Sequence, residues 1–291
     1  MASWLTVQVR KHNALLLALP AILWLTVFFL IPLGIVFVVS FMTRGTTGLG
    51  ELPFTFDHYE RVFDLFSGIL IRSVRIAFIT TVVCLLVGFP MAFFIKTRKN
   101  AYVRQIALFM VILPFWTNFL VRTYALRVLL GREGTINGVL GNLNIIDEPL
   151  PLLLNQFAVL VGLTYSYLPF MVLPIYAAVE RFDFRYVEAA RDLGANDWQV
   201  FWRVIIPLTL PGIVAGCILV FIPSIGAFVT PDMLGGTDGR MIGNFVYGQF
   251  QRTVNHPLGS ALSVVMMAMV MIALLIYLRV ASRDSTQRED A

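Results

Sequence analysis

Six long apolar runs separated by short polar stretches set the pattern of this chain: Ala14–Phe41, Ser73–Ile95, Ile106–Leu129, Leu152–Val179, Ile205–Val229 and Gly259–Ile276. A helix needs roughly 20 mostly apolar residues to cross a bilayer. The runs are free of charge except for Arg75 at the start of the second and Arg122 and Arg127 in the third. None alternates with the period of two that a membrane barrel shows, and a helix satisfies its own backbone groups in lipid. The pattern therefore predicts an all-α fold, a polytopic membrane helical bundle of six transmembrane helices. Of 291 residues, 58% are hydrophobic and only 13% charged, against about 45–50% and 25% in soluble domains. That balance excludes a disordered chain, a fibrous protein and a typical water-soluble enzyme. Arg10 and Lys11 precede the first run as in a secretory signal, but a cleavable signal has an apolar core of only about 7–15 residues. Here the run continues to Phe41, with Pro20 and Pro32 inside it, and reads as an uncleaved span.

Basic residues orient the bundle. All three lysines (Lys11, Lys96 and Lys99) fall on one side of a six-span topology, and the loop holding Lys96, Arg98, Lys99 and Arg104 has no acid. Both termini are expected in the cytoplasm. The net charge of +5 follows from this arrangement and points to no nucleic-acid partner. On the opposite side, Phe56, Tyr59, Phe63 and Phe66 share one helical face and predict a short interfacial helix. The segments 131–151 and 231–257 read as outer loops, the first with a short helix, the second with turns at Gly235, Gly236 and Gly239.

Chemistry-bearing motifs are scarce. No lysine follows a glycine, so no phosphate-binding loop is present, and neither a G-x-S-x-G elbow nor an H-E-x-x-H pair occurs. Cys84 and Cys217 lie within spans and read as small apolar groups. His12, His58 and His256 are scattered too widely for a metal site. No cofactor is expected. Between Asp64 and Glu133 there is no acidic residue, and no span carries a carboxylate near its centre. Ion-coupled carriers usually place ionisable groups at membrane depth, so this argues against ion coupling.

One polar segment stands apart, Glu180 to Ile213 between the fourth and fifth runs. Asp183 is placed to cap a helix reaching about Leu193. Gly194 follows where a helix end needs a left-handed residue. Asn196 restarts a helix with Gln199 as its capping-box partner, and Pro207 and Pro211 follow. The result is a helix–glycine–helix elbow suited to docking on a soluble partner. Glu188 is free to pair with a partner's cation or, locally, with Arg185 or Arg191. The fifth run carries Gly212-x-x-x-Gly216, which permits close helix contact.

Glu188-Ala189-Ala190, Gly194 and Pro207 fit the pattern E-A-A-x3-G-x9-I-x-L-P, with Val204 and Ile206 as mild replacements. This resembles the EAA loop of ABC-importer permeases of the type I, MetI-like kind. The stretches Ile146–Leu153, Tyr167–Arg181 and Pro211–Gly236 look like those of spermidine/putrescine-type permeases. The resemblance implies a non-enzymatic transport subunit in a bacterial inner membrane that works by alternating access. Residues 1–68 would hold the first helix and outer loop, 69–279 the permease core with a coupling loop at 180–207, and 280–291 a cytoplasmic tail. The implied partners are an ABC ATPase dimer, a second homologous permease subunit and a periplasmic or lipid-anchored substrate-binding protein. Glu188, Ala189, Ala190, Gly194, Val204, Ile206 and Pro207 would couple to the ATPase.

A polyamine cargo calls for aromatic faces and carboxylates. Trp116, Tyr124, Tyr165, Tyr167 and Asp232 are the candidates for the substrate path. Arg122 and Arg127 would repel a polycation if they faced that path; the other reading has them snorkelling to the interface. They leave open a phosphonate or amino-acid-like solute as cargo, and an ATPase-independent carrier is the rival mechanism.

Overall fold

The computed structural model describes residues 18–289, with side chains beyond Leu275 described only at Arg279. Lys11, His12 and the first four residues of the expected first span therefore lie outside the described residues, as does the expected tail apart from its helical backbone. Contacts divide the chain into two units, Met1–Leu65 with Gly248–Val265, and Phe66–Tyr247 with Met266–Ala291.

In the first unit, α1 (Ala18–Val39) is apolar throughout. It ends at Ser40, whose Oγ lies 2.7 Å from the Tyr59 hydroxyl. A hairpin absent from the sequence reading follows, β1 (Met42–Arg44) antiparallel to β2 (Gly50–Phe54) with a bulge at Met42/Thr43. Gly48 closes it at φ +83, where a Cβ would strike the Val254 carbonyl oxygen. The Gly48 carbonyl accepts from the His256 amide at 3.0 Å.

α2 (Asp57–Thr97) is one helix of 41 residues, about 62 Å long at 1.5 Å per residue. The expected interfacial helix and second span are thus a single element. Gly68 and Ser73 between them do not break it: Gly68 has open space around it and costs a helix only about 1 kcal/mol, while the Ser73 hydroxyl bonds the Ile69 carbonyl at 2.8 Å.

The third run departs further. α3 (Ala101–Ile112) tightens into a 3-10 turn at Leu113–Trp116, and α4 (Phe119–Leu129) leaves at 96°. Pro114 supplies no amide to extend the helix, Thr117 is extended, and the Asn118 side chain accepts from Leu120 N at 2.8 Å to start afresh. Counting this bent pair as one span gives six among the described residues, and five without it. The outer loop then forms α5 (Thr135–Asn142), pinned by Asn137, which bonds Leu150 through both its amide and carbonyl at 3.0 Å.

α6 (Gln156–Glu180), α7 (Arg185–Asp192) and α8 (Asp197–Ile225) follow, then α9 (Val229–Leu234), α10 (Ile242–Gln251) and α11 (His256–Glu289). α9 and α10 occupy a stretch read as turns; its glycines join the two helices, with Gly236 at φ +57. α10 starts where Ile242 N donates to the buried Ser73 hydroxyl of α2 at 2.8 Å.

The core of the second unit centres on the α6–α8 pair. A Cβ on Gly212 would meet the Ala178 Cβ and, at 2.6 Å, the Pro174 carbonyl oxygen; one on Gly216 would meet Met171 Sδ at 2.8 Å. The small-residue spacing read from the sequence therefore sits on the contact face, where close approach drives helix packing in lipid. Gly212→Val is expected to cost about 2 kcal/mol by overpacking and to lower the thermal midpoint in detergent. Gly138→Ala on α5, with nothing within 4 Å, should leave it unchanged.

Candidate functional site

The segment 182–207 folds as the elbow its capping residues dictate. The Asp183 carboxylate accepts from Arg185 N at 3.0 Å and opens α7. At the far end, Ala195 N reaches the Ala190 carbonyl at 3.0 Å and Gly194 N the Arg191 carbonyl at 2.9 Å, with Gly194 at φ +85. These two bonds are the Schellman pattern, which needs a left-handed residue at this position. Asn196 and Gln199 complete a reciprocal capping box at 2.8 and 3.0 Å. Across the bend, Arg191 Nη2 and Asp197 Oδ1 form an ion pair at 2.7 Å. Both ends are exposed, so the pair adds at most about 1 kcal/mol.

Arg191 thus turns to Asp197, and Glu188 is left exposed and without an ion pair among the described residues. Ala189 is exposed beside it, Ala190 half-buried, and Val187 is the one residue of α7 that is buried. Leu193 is 90% exposed and Trp198 70%. The elbow therefore exposes two large apolar side chains as well as Glu188, a feature the EAA pattern itself does not signal.

On its inward side the elbow is clamped by aromatic rings to α2. Phe89 packs edge-on to Phe201 at 5.7 Å between centroids, Phe93 lies 6.1 Å from Phe184, and Phe182 meets Phe184 at 5.2 Å. Between them is a cavity of about 670 Å³ whose lining includes Phe93, Val187 and Val200. Past the elbow, a π turn at Phe201–Ile205 passes α8 into its apolar stretch, with Val204 and Ile206 half-buried against the core and Pro207 exposed. Such a turn loosens the ladder just where Pro207 lacks a donor.

The five residues read as a substrate path are dispersed over four elements. Trp116 is 79% exposed in the 3-10 turn and Tyr124 60% exposed on α4. Tyr165 lines a groove with Pro90 and Pro114. Tyr167 points to α8, its hydroxyl donating to the Pro223 carbonyl at 3.4 Å. Asp232 lies in the first turn of α9. Arg122 is half-buried: its Nε and Nη1 are shielded without hydrogen-bond partners among the described residues, and its Cζ sits 5.9 Å from the ring centroids of both Phe115 and Phe119. No group of three His, Cys, Asp or Glu residues able to hold a metal occurs among the described residues.

Helices long and apolar enough to cross a membrane and a capped elbow between two of them are the features of a membrane transport subunit that couples to a soluble partner. The family described as "binding-protein-dependent transport system inner membrane component" matches residues 85–284, and the chain belongs to it. It is thus a multi-pass inner-membrane permease subunit of a bacterial ABC importer and not itself an enzyme. The chain is 42% identical over 257 residues to the spermidine/putrescine transport system permease protein PotB of Haemophilus influenzae, covering 88% of this chain and 90% of that one. It is 41% identical over 261 residues to PotB of Escherichia coli, covering 89% and 94%. A bacterial alginate ABC transporter crystallised with its pentasaccharide-bound periplasmic protein shares the fold, at TM-score 0.69 and 18% identity over 96% of this chain and 97% of that chain.

Removing the Asn196 side chain tests the elbow's local stability. Asn196→Ala should cost about 1 kcal/mol and speed hydrogen exchange at the Gln199 amide about fivefold, with the amides of α6 unaffected.

Proposed function

We propose that this chain is the permease subunit through which spermidine or putrescine enters the cell. The observation that carries the cargo assignment is its similarity to two PotB proteins over nearly nine-tenths of its length. An extracytoplasmic binding protein, periplasmic or lipid-anchored, delivers the polyamine; a second homologous permease lines the path with residues 69–279 of this chain; and an ABC ATPase dimer drives the cycle.

The elbow is the part the ATPase grips. Glu188 supplies a charge with no competing local partner, Ala189 and Ala190 allow close approach, and Gly194 sets the bend. Because the Phe89–Phe201 and Phe93–Phe184 contacts hold the elbow to α2, a push on α7 is delivered to α2 at once, and through Val204, Ile206 and Pro207 to α8. In alternating access this converts closure of the ATPase pair into rearrangement of the path. Trp116, Tyr124, Tyr167 and Asp232 remain the proposed cargo contacts, brought to a common path by the second permease; Tyr165 lines an apolar groove with Pro90 and Pro114 and is left out of that set.

The test is uptake of labelled spermidine by proteoliposomes holding the full transporter and its binding protein. Glu188→Ala is expected to cut uptake at least tenfold while the permease stays assembled in the membrane. Undiminished uptake in the variant, or uptake in liposomes lacking the ATPase, would overturn the coupling role. The cargo assignment is tested separately: spermidine and putrescine should compete with each other, and a phosphonate should not. On this reading Arg122, with two of its nitrogens shielded beside Phe115 and Phe119, lies off the cargo path, so Arg122→Met is expected to change the spermidine concentration for half-maximal uptake less than twofold.

A further inference from the structure

The antiparallel helices α2 and α3 and the middle of α6 enclose a groove of about 570 Å³, lined by Pro90, Met91, Phe94, Ala107, Met110 and Tyr165 among others and by no charged residue. It lies beside the 98–100 turn that joins α2 to α3. At that end the Arg98 guanidinium rests on the ring of Phe94, its Cζ 3.7 Å from the centroid. Arg104 is half-buried one turn before Ala107 on the opposite wall, and Lys99 stands in the turn between them. Arg98, Lys99 and Arg104 donate no side-chain hydrogen bond within the described residues; Lys96, by contrast, is engaged with the Glu180 carbonyl at 2.9 Å. The acid at this end is Glu180, whose carboxylate accepts from the Tyr176 hydroxyl at 3.1 Å.

We propose that this groove and its basic collar form a binding site for an anionic phospholipid, with one acyl chain in the groove and the phosphate held by Arg98, Lys99 and Arg104. Two observations select this occupant. The groove takes hydrocarbon and offers no carboxylate or other acceptor set to a protonated amine, so it is unsuited to a polycation. Three cations beside it that donate no side-chain hydrogen bond within the described residues supply the complementary charge for a phosphodiester, the arrangement by which basic residues at the ends of membrane helices select anionic headgroups. The chain runs from Asp64 to Glu133 without an acid to offset them. The lipid would tie α2 to α3 next to the Phe93–Phe184 contact and so bear on how freely the elbow moves.

The experiment uses the full-length chain in nanodiscs of equal phosphatidylglycerol and phosphatidylethanolamine, released gently and weighed by native mass spectrometry. Phosphatidylglycerol should be retained preferentially. Arg98→Gln with Arg104→Gln should reduce that preference about thirtyfold, at about fivefold per neutralised cation. Met110→Trp, at a position 57% exposed and therefore harmless to the core, should fill the groove and abolish retention with the cations intact. Equal retention of the two lipids by the unaltered chain would overturn the proposal without recourse to any variant. So would retention unaffected by Met110→Trp, or full displacement of the lipid by inorganic phosphate alone or by spermidine.

Discussion

A peptide group left without a partner in hydrocarbon costs several kcal/mol, and that constraint decides where this chain is allowed to stop being a helix. Four of the interruptions are answered by an asparagine. Asn100, Asn118, Asn155 and Asn196 each accept a backbone amide two or three residues ahead, at 2.8 to 2.9 Å, and so begin α3, α4, α6 and α8. Within helices, the hydroxyls of Ser73, Thr81, Thr123, Thr209 and Ser224 turn back onto carbonyls four residues earlier. These hydroxyls in the apolar stretches serve the backbone, which leaves them without free chemistry.

The elbow applies the same economy to mechanics. Its shape is held locally, by a left-handed glycine, a capping box and one exposed ion pair. Its attachment to the bundle is held at longer range, by aromatic rings from α2, the 182–184 segment and α8. Under the coupling role proposed above, the local bonds would keep the bend while the rings pass the load to α2. Glu188 takes part in neither set, which leaves its charge available to another molecule.

Much of this was legible in the residues. The apolar runs located the spans because their length leaves no alternative, and Asp183, Gly194, Asn196 and Gln199 announced the elbow because capping depends on residues adjacent in sequence. The break at Asn118 was hidden, because a run of apolar residues reads the same straight or bent; Pro114 followed by Asn118 was the available signal. The continuity of α2 was missed for the opposite reason, since a change from interfacial to apolar composition does not itself end a helix. α9 and α10 were obscured by glycines that mark their junction. The dispersed candidates for the path show the limit most plainly: which face of a helix Tyr165 or Tyr167 occupies is fixed by neighbours far away in sequence.

The meeting of Gly212 with Ala178 restricts more than stability. Both positions are already at or near the smallest side chain available, so neither has room to compensate for growth in the other. Substitution along this seam is consequently a one-way door: drift that the lipid-facing surface absorbs freely would have to be answered here by moving a whole helix, and the crossing of α6 and α8 should outlast nearly every other detail as such chains diverge.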